Sequence, residues 1–155
     1  MPNSTWIVGD VANYFGASPC GLSIFNNEYS LYFKTDDTIA PAKLINIFPE
    51  NIAIDIKNNL YGGKVSNDQS IIYGDLFDST RIVVGLIPLK SDSFEVRGSI
   101  PNPPLMAAYC LQDFLKKHSI DVANAPAYRM DYNYVNDTTE KKVFMNTFLQ
   151  IYQKL

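Results

Sequence analysis

Glu28-Tyr29-Ser30-Leu31-Tyr32-Phe33-Lys34 sets Tyr29, Leu31 and Phe33 against Ser30, Tyr32 and Lys34 in strict alternation. Successive side chains of an extended chain point to opposite faces, so this run predicts a strand with one face in a core. On its N-terminal side, Asn26-Asn27 separates it from Leu22 to Phe25. Asparagine tolerates positive φ, and the pair predicts a tight turn joining two hairpin strands. On its C-terminal side, three isoleucines in Ile52 to Lys57 alternate with Ala53, Asp55 and Lys57. Further strands are expected at Lys43 to Phe48, Ser70 to Leu76, Arg81 to Ile87 and Ser93 to Ser99, with Gly62-Gly63 read as a turn and Pro88 as a break.

After Ile100 the period changes. Asn102 is placed to cap a helix and Pro103 suits its first position, where a missing N–H leaves nothing unpaired. Ala107, Cys110, Leu111 and Phe114 then fall at i, i+3, i+4 and i+7, with Gln112, Asp113, Lys116 and Lys117 opposite. His118 closes this helix, where the dipole favours it. A strand plus loop is expected within Asp121 to Asp137, and a second helix over Thr139 to Leu155 with Phe144, Phe148, Ile151 and Leu155 on one side. The expected fold is therefore α+β and β-rich: six to eight largely antiparallel strands, then one or two helices toward the C-terminus. The change of period divides the chain into a β-rich part, 1–100, and a helix-containing part, 101–155, that packs on it, with one compact unit over 1–155 as the alternative.

The 155 residues are 46% apolar and 19% charged, enough to bury a core. Thirteen basic residues, only three of them Arg, stand against sixteen acidic ones for a net charge of -3. That balance offers no positive field for phosphates and argues against nucleic acid as a partner. No run is long and apolar enough to span a membrane, and the N-terminus lacks a basic region followed by an apolar one. Cys20 and Cys110 stand far apart without a Cys-x-x-Cys, and one histidine cannot complete a zinc site with them, so no metal is expected. Cys110 on an apolar helix face reads as a free thiol acting as a small hydrophobe. Asn3-Ser4-Thr5 and Asn136-Asp137-Thr138 fit the glycosylation acceptor pattern, which carries meaning only for a secreted eukaryotic chain.

Nucleophilic catalysis needs a base within hydrogen-bond reach of Ser or Cys, and with one histidine a Ser-x-x-Lys pair on a helix would serve. No lysine here has Ser three positions before it. Lys34-Thr35-Asp36 imitates Lys-Thr-Gly and Ser91-Asp92-Ser93 imitates Ser-Asp-Asn, each failing at its last position. Asp10, Asp55, Asp68, Asp75 and Asp78 are available for acid/base work, but no spacing selects two of them. Gly62-Gly63-Lys64 lacks the spacing of a phosphate loop. No catalytic residue is assigned.

Trp6-Ile7-Val8-Gly9-Asp10-Val11-Ala12-Asn13-Tyr14-Phe15-Gly16-Ala17 is different: the only Trp, an acid and a Tyr recur at four-residue intervals among small residues. This stretch resembles the Trp-x-Trp-x-Asp segment of the class C low-molecular-mass penicillin-binding proteins, the D-alanyl-D-alanine carboxypeptidases and endopeptidases, with Val8 in place of the second Trp. The resemblance continues through Gly21-Leu22-Ser23, the Glu28 to Lys34 strand, Ile72-Tyr73-Gly74, Arg81, Gly85-Leu86-Ile87-Pro88 and Phe94-Glu95-Val96-Arg97-Gly98-Ser99-Ile100-Pro101. It covers about residues 5–125.

In that family Ser-x-x-Lys precedes a long insertion, and Ser-x-Asn and Lys-Thr-Gly follow it. The resemblance implies that this chain covers the insertion alone, a fragment without the catalytic motifs, needing no cofactor. It implies a periplasmic or cell-surface setting and a peptidoglycan stem peptide as partner. Trp6, Asp10 and Tyr14 match the segment that binds the cationic side-chain end of that peptide, where a carboxylate and an aromatic face both favour an ammonium. A stand-alone cell-wall-peptide binding module is the alternative from another class. One permitted codon set for Met145 to Leu155, read two nucleotides later, gives Glu-His-Ile-Ser-Pro-Asp-Leu-Ser-Lys-Ile. This has the Ser-Pro-x-Leu pattern with which relatives continue, so a frameshift near Val143 to Met145 is one expectation for the tail.

Overall fold

The computed structural model describes residues 7, 9–17, 19–50, 52–76 and 78–123. They form β1 (Glu28–Lys34), β2 (Lys43–Phe48), β3 (Asp55–Gly63), β4 (Gln69–Tyr73), β5 (Thr80–Pro88), β6 (Phe94–Ser99) and α1 (Pro103–Lys117), with two short 3-10 turns at Tyr14–Gly16 and Phe25–Asn27. The α+β, β-rich class read from the alternation is the class observed. The second helix expected over Thr139 to Leu155, and most of the strand-plus-loop before it, lie outside the described residues.

The strands make two three-stranded sheets, β2-β1-β6 and β3-β5-β4. In the first, β1 is central and antiparallel to both neighbours. Its alternation is realised: Tyr29, Leu31 and Phe33 are buried. In the second, β5 is central, antiparallel to β4 and parallel to β3. The chain leaves β3, forms β4 at the far side, and returns as β5 through the gap. Gly85 makes that return possible: its φ is +113°, and a Cβ there would run into the Gln69 carbonyl of β4.

The two sheets contribute to one core. Leu31, Phe33 and Val96 from the first join Leu60, Ile72, Val83 and Ile87 from the second, together with Ala12, Ala42, Ile100 and Met106. Arg81 also lies inside, 1% exposed, on the inward-facing register of β5 with Val83 and Ile87. Its guanidinium donates to the carbonyls of Asp78 (2.6 Å) and Thr80 (2.9 Å). Burial draws its proton affinity below the ordinary arginine value, while Tyr29, Asp78 and Asp75 oppose that. Burial likewise holds the Tyr29 phenol far above the usual tyrosine range against the pull of Arg81. Neither the Tyr29 hydroxyl nor Arg81 Nε has a well-formed hydrogen bond among the described residues.

Three expectations are corrected. Leu22 to Phe25 is not a hairpin strand, because Phe25, Asn26 and Asn27 all take left-handed φ (52°, 55° and 60°) and coil the chain. Asn27 closes that coil by donating its side-chain amide to Ser23 Oγ (3.2 Å). Gly62-Gly63 is no turn: the two residues end β3, paired with Ile87 and Pro88. The packing around Gly62 is close: a Cβ there would meet the Thr35 and Leu89 side chains at 3.1–3.2 Å. The apolar stripe of α1 is buried only in part. Met106 enters the core and Cys110 packs against it, whereas Leu111 and Phe114 are exposed. The helix therefore docks by its first two turns. Its ends are as expected: Asn102 Oδ1 accepts from the Leu105 N–H (3.3 Å), Pro103 follows, and the His118 N–H reaches the Leu115 carbonyl (3.0 Å).

Candidate functional site

The segment expected to bind ligand is a strap across both sheets. The Asp10 N–H donates to Ile7 O (2.9 Å) and the Asn13 N–H to Asp10 O (3.0 Å), winding residues 9–13 into turns that lead into the 3-10 turn at Tyr14. Gly16 closes the coil, since a Cβ there would overlap the Asp10 carbonyl. Asp10 and Tyr14 are thus held on one compact stretch, Asp10 half-buried and Tyr14 exposed. Trp6 lies outside the described residues.

The strap is fixed to β6 by backbone and side chain together. Asn13 forms an antiparallel bridge with Gly98, the Ser99 N–H donates to Ala12 O (2.9 Å), and Ser99 Oγ donates to Val11 O (2.6 Å). On its other side it is fixed to β4 by one buried side chain. Asn13 Oδ1 accepts from the Ile72 N–H (2.9 Å), while Nδ2 donates to Ile72 O (3.1 Å) and Gly9 O (2.7 Å). The carboxamide reproduces the pairing of a missing strand. Nothing in the sequence announces this role for Asn13.

Arg97, one residue before the bridge, turns outward beneath Tyr14. Its guanidinium carbon lies 4.3 Å from the Tyr14 ring centroid and its Nη1 is 3.2 Å from Glu28 Oε2. Phe15 meets the same ring edge-on with centroids 5.2 Å apart. One aromatic face of Tyr14 is therefore already occupied by a cation of the chain itself. Sequence reasoning missed Arg97 as a site neighbour. The available signal was its place in the outward register of β6, opposite Ser30 of β1.

The two imitations of penicillin-binding motifs meet in space. Lys34 Nζ pairs with Asp92 Oδ1 at 2.9 Å, the Thr35 N–H donates to Ser91 O (2.9 Å), and the Ser91 N–H donates to Thr35 Oγ1 (3.1 Å). The Thr35 hydroxyl in turn donates to Pro88 O (2.7 Å). The arrangement joins the end of β1 to the loop after β5. Asp92 raises the Lys34 pKa above its ordinary value and Lys34 lowers that of Asp92.

The remaining carboxylates are spread out. Asp55 pairs with Lys57 (2.8 Å), and Asp68 and Asp78 accept from the Ser70 and Thr80 N–H groups ahead of β4 and β5. Among the described residues no three His, Cys, Asp or Glu side chains converge on a point that could hold a metal ion. No described helix is long and apolar enough to cross a membrane. Cys20 and Cys110 are both free thiols, and burial raises the Cys110 pKa. A shallow apolar groove of about 360 Å³ runs between α1 and the end of β2, lined by Phe25, Phe48, Cys110 and Phe114 with Glu50 and Lys117 at its rim.

No family model matches the sequence, and no curated protein matches it either. Among solved structures the chain is similar to penicillin-binding protein 4 (dacB) from Haemophilus influenzae, with a TM-score of 0.57 and 19% identity. The match covers 78% of this chain and 27% of that one. At that identity the likeness is one of fold. This chain spans about a quarter of the neighbour's length and has the architecture of a part of a penicillin-binding protein.

Proposed function

We propose that this chain is the accessory insertion of a serine-type D-Ala-D-Ala carboxypeptidase/endopeptidase of peptidoglycan maturation, working in the periplasm or at the cell surface. In this reading it shapes the site for the stem peptide, while the acyl-transfer machinery belongs to other parts of the parent enzyme. The observation that carries the reading is the fold shared with part of a penicillin-binding protein, in a chain whose Trp6 to Ala17 segment resembles the family's pattern except at Val8, which stands in place of the second Trp.

Within it, Asp10 accepts charge-assisted hydrogen bonds from the ammonium at the end of the peptide side chain, with Tyr14 and Trp6 as flanking aromatic surface. The strap presents Asp10 and Tyr14 from a turn fixed to both sheets, so little ordering is left to do on binding. Arg97 and Phe15 both pack on Tyr14 and hold the ring in place, so Tyr14 meets ligand with the part of its exposed ring that these neighbours leave uncovered.

The test is titration calorimetry of stem peptides whose cationic side-chain amine is free or acetylated. Asp10→Ala should weaken binding of the free amine by about 1.5–3 kcal/mol and leave the acetylated peptide nearly unchanged. Equal losses for both peptides, or no binding of either to the unmodified chain, would refute the assignment.

A further inference from the structure

We propose that the outer face of the β3-β5-β4 sheet is a self-association surface whose occupant is a second copy of this chain. The register places three rows side by side on that face: Lys57, Ile82 and Tyr73; Asn59, Val84 and Ile71; Tyr61, Leu86 and Gln69. The inward registers of the same strands carry Leu60, Ile72, Val83 and Ile87, all buried. The sheet is thus apolar on both sides. Tyr61, Ile71, Tyr73, Ile82 and Leu86 nevertheless remain 36–44% exposed on the outer one. Both-sided apolarity is the pattern of a sheet covered on both faces.

Three observations select a second copy. First, both edges of this sheet are occupied in part, β3 over its C-terminal half and β4 at Ile72. The Ala42 N–H donates to Leu60 O (2.8 Å) and the Gly62 N–H to Ala40 O (2.9 Å) along β3, and the Asn13 carboxamide occupies Ile72 of β4. The longest uninterrupted surface this sheet offers for association is therefore its face. Second, the face makes no demand on the charge of its partner. Its one charged side chain in these rows, Lys57, is neutralised by Asp55 at 2.8 Å, so two identical faces meet without repulsion. Third, the area suffices when doubled. The five exposed side chains present on the order of 400 Å² per copy, so two copies remove roughly 800 Å² from them alone. With Val84 at the centre and Asn59 and Gln69 at the rim this reaches the region of about 1,000 Å² where weak specific interfaces begin. Sheets packing face to face at about 10 Å would interdigitate these rows.

The test is sedimentation equilibrium of the full 155-residue chain from about 5 to about 500 μM. The expected result is a concentration-dependent rise from the mass of one chain to that of two. Ile71→Lys and Ile82→Lys, both at exposed positions, should each raise the dissociation constant by at least about tenfold, with the circular dichroism of the parent retained. Ile45→Lys, equally exposed but on β2 of the other sheet, should leave association unchanged. A chain that stays monomeric throughout, as it would if this face receives a further domain or a different protein, overturns the proposal. So does a dimer indifferent to the two lysines, or one that Ile45→Lys abolishes as well.

Discussion

Replacing Asn13 by Ala removes the side-chain hydrogen bonds that tie the N-terminal strap to the second sheet, and the structure fixes what is lost. Asn13 is 4% exposed and its carboxamide makes three hydrogen bonds, two of them to the N–H and C=O of Ile72, itself fully buried. The third partner, Gly9 O, is only half-buried and can turn to water. The cost is therefore set by two backbone groups left unpaired in the core at about 1–3 kcal/mol each, which gives about 2–6 kcal/mol for Asn13→Ala. For a chain of this length that lowers the melting temperature by roughly 4–24 °C. Urea denaturation supplies the free energy, and native-state hydrogen exchange should show the Ile72 amide losing protection beyond the global change.

Asn13→Asp separates loss of a contact from loss of a donor. One carboxylate oxygen can still accept from the Ile72 N–H, but the other faces the carbonyls of Ile72 and Gly9, which need a donor. The carboxylate form is disfavoured, so the folded-state pKa of the new Asp lies above its unfolded value of about 3.9. The native state then binds the proton more tightly. Relative to the parent at each pH, this variant should be at least as unstable as Asn13→Ala at neutral pH. It should regain stability as pH falls through the raised folded pKa toward about 3.9. A loss below about 1 kcal/mol for Asn13→Ala, or an Asn13→Asp deficit that does not shrink on acidification, would refute the reasoning.

Three further outcomes are expected. The raised pKa of Tyr29 means that the unfolded chain releases this proton first, so its contribution to stability is intact below about pH 10 and lost as pH rises above it. Tyr29→Phe should flatten that alkaline loss and, because the hydroxyl has no well-formed partner, change stability at neutral pH by less than about 1 kcal/mol in urea titrations. Gly98→Ala puts a methyl group against the buried Tyr29 ring and should cost about 2–3 kcal/mol, measured as a shift in the denaturation midpoint at unchanged slope. Incubation with penicillin should leave the intact mass unchanged, because no Ser-x-x-Lys occurs in the sequence; a stoichiometric adduct would contradict the fragment reading.

The sheet elements were legible where one face is buried and the other wet. In β1 the alternation of Tyr29, Leu31 and Phe33 is also the burial pattern, and its ends agree residue for residue. The reading failed where geometry outvotes pattern. Leu22 to Phe25 has strand composition, but three left-handed residues in succession are a backbone fact that side-chain hydrophobicity does not encode. The parallel pairing of β3 with β5 was equally hidden, since parallel and antiparallel partners can share the same alternation. Of the site, the sequence marked Asp10 and Tyr14 but not what holds them. Asn13 looks like any polar residue until Ile72, 59 positions later, folds against it. Arg81 did carry a cue, since an arginine in phase with Val83 and Ile87 must enter the core with them.

These findings link the candidate site to the stability of the whole chain. The strap carrying Asp10 and Tyr14 is fixed to β6 at Gly98 and Ser99 and to β4 at Ile72, and the bridge at Gly98 lies directly over Tyr29, the neighbour of Arg81 in the core. A ligand held by Asp10 and Tyr14 binds only while that strap is docked. By mass action it must then stabilise the fold by about 2.7 kcal/mol at a hundred times its dissociation constant. The same linkage runs in reverse: a chain with Asn13→Ala spends more time undocked and should bind more weakly, although Asn13 lies beneath the site. If stem peptide raised the melting temperature of the parent chain while Asn13→Ala bound it equally well, the ligand would be resting on a surface that does not depend on the strap, and the site would have to be sought elsewhere on the molecule.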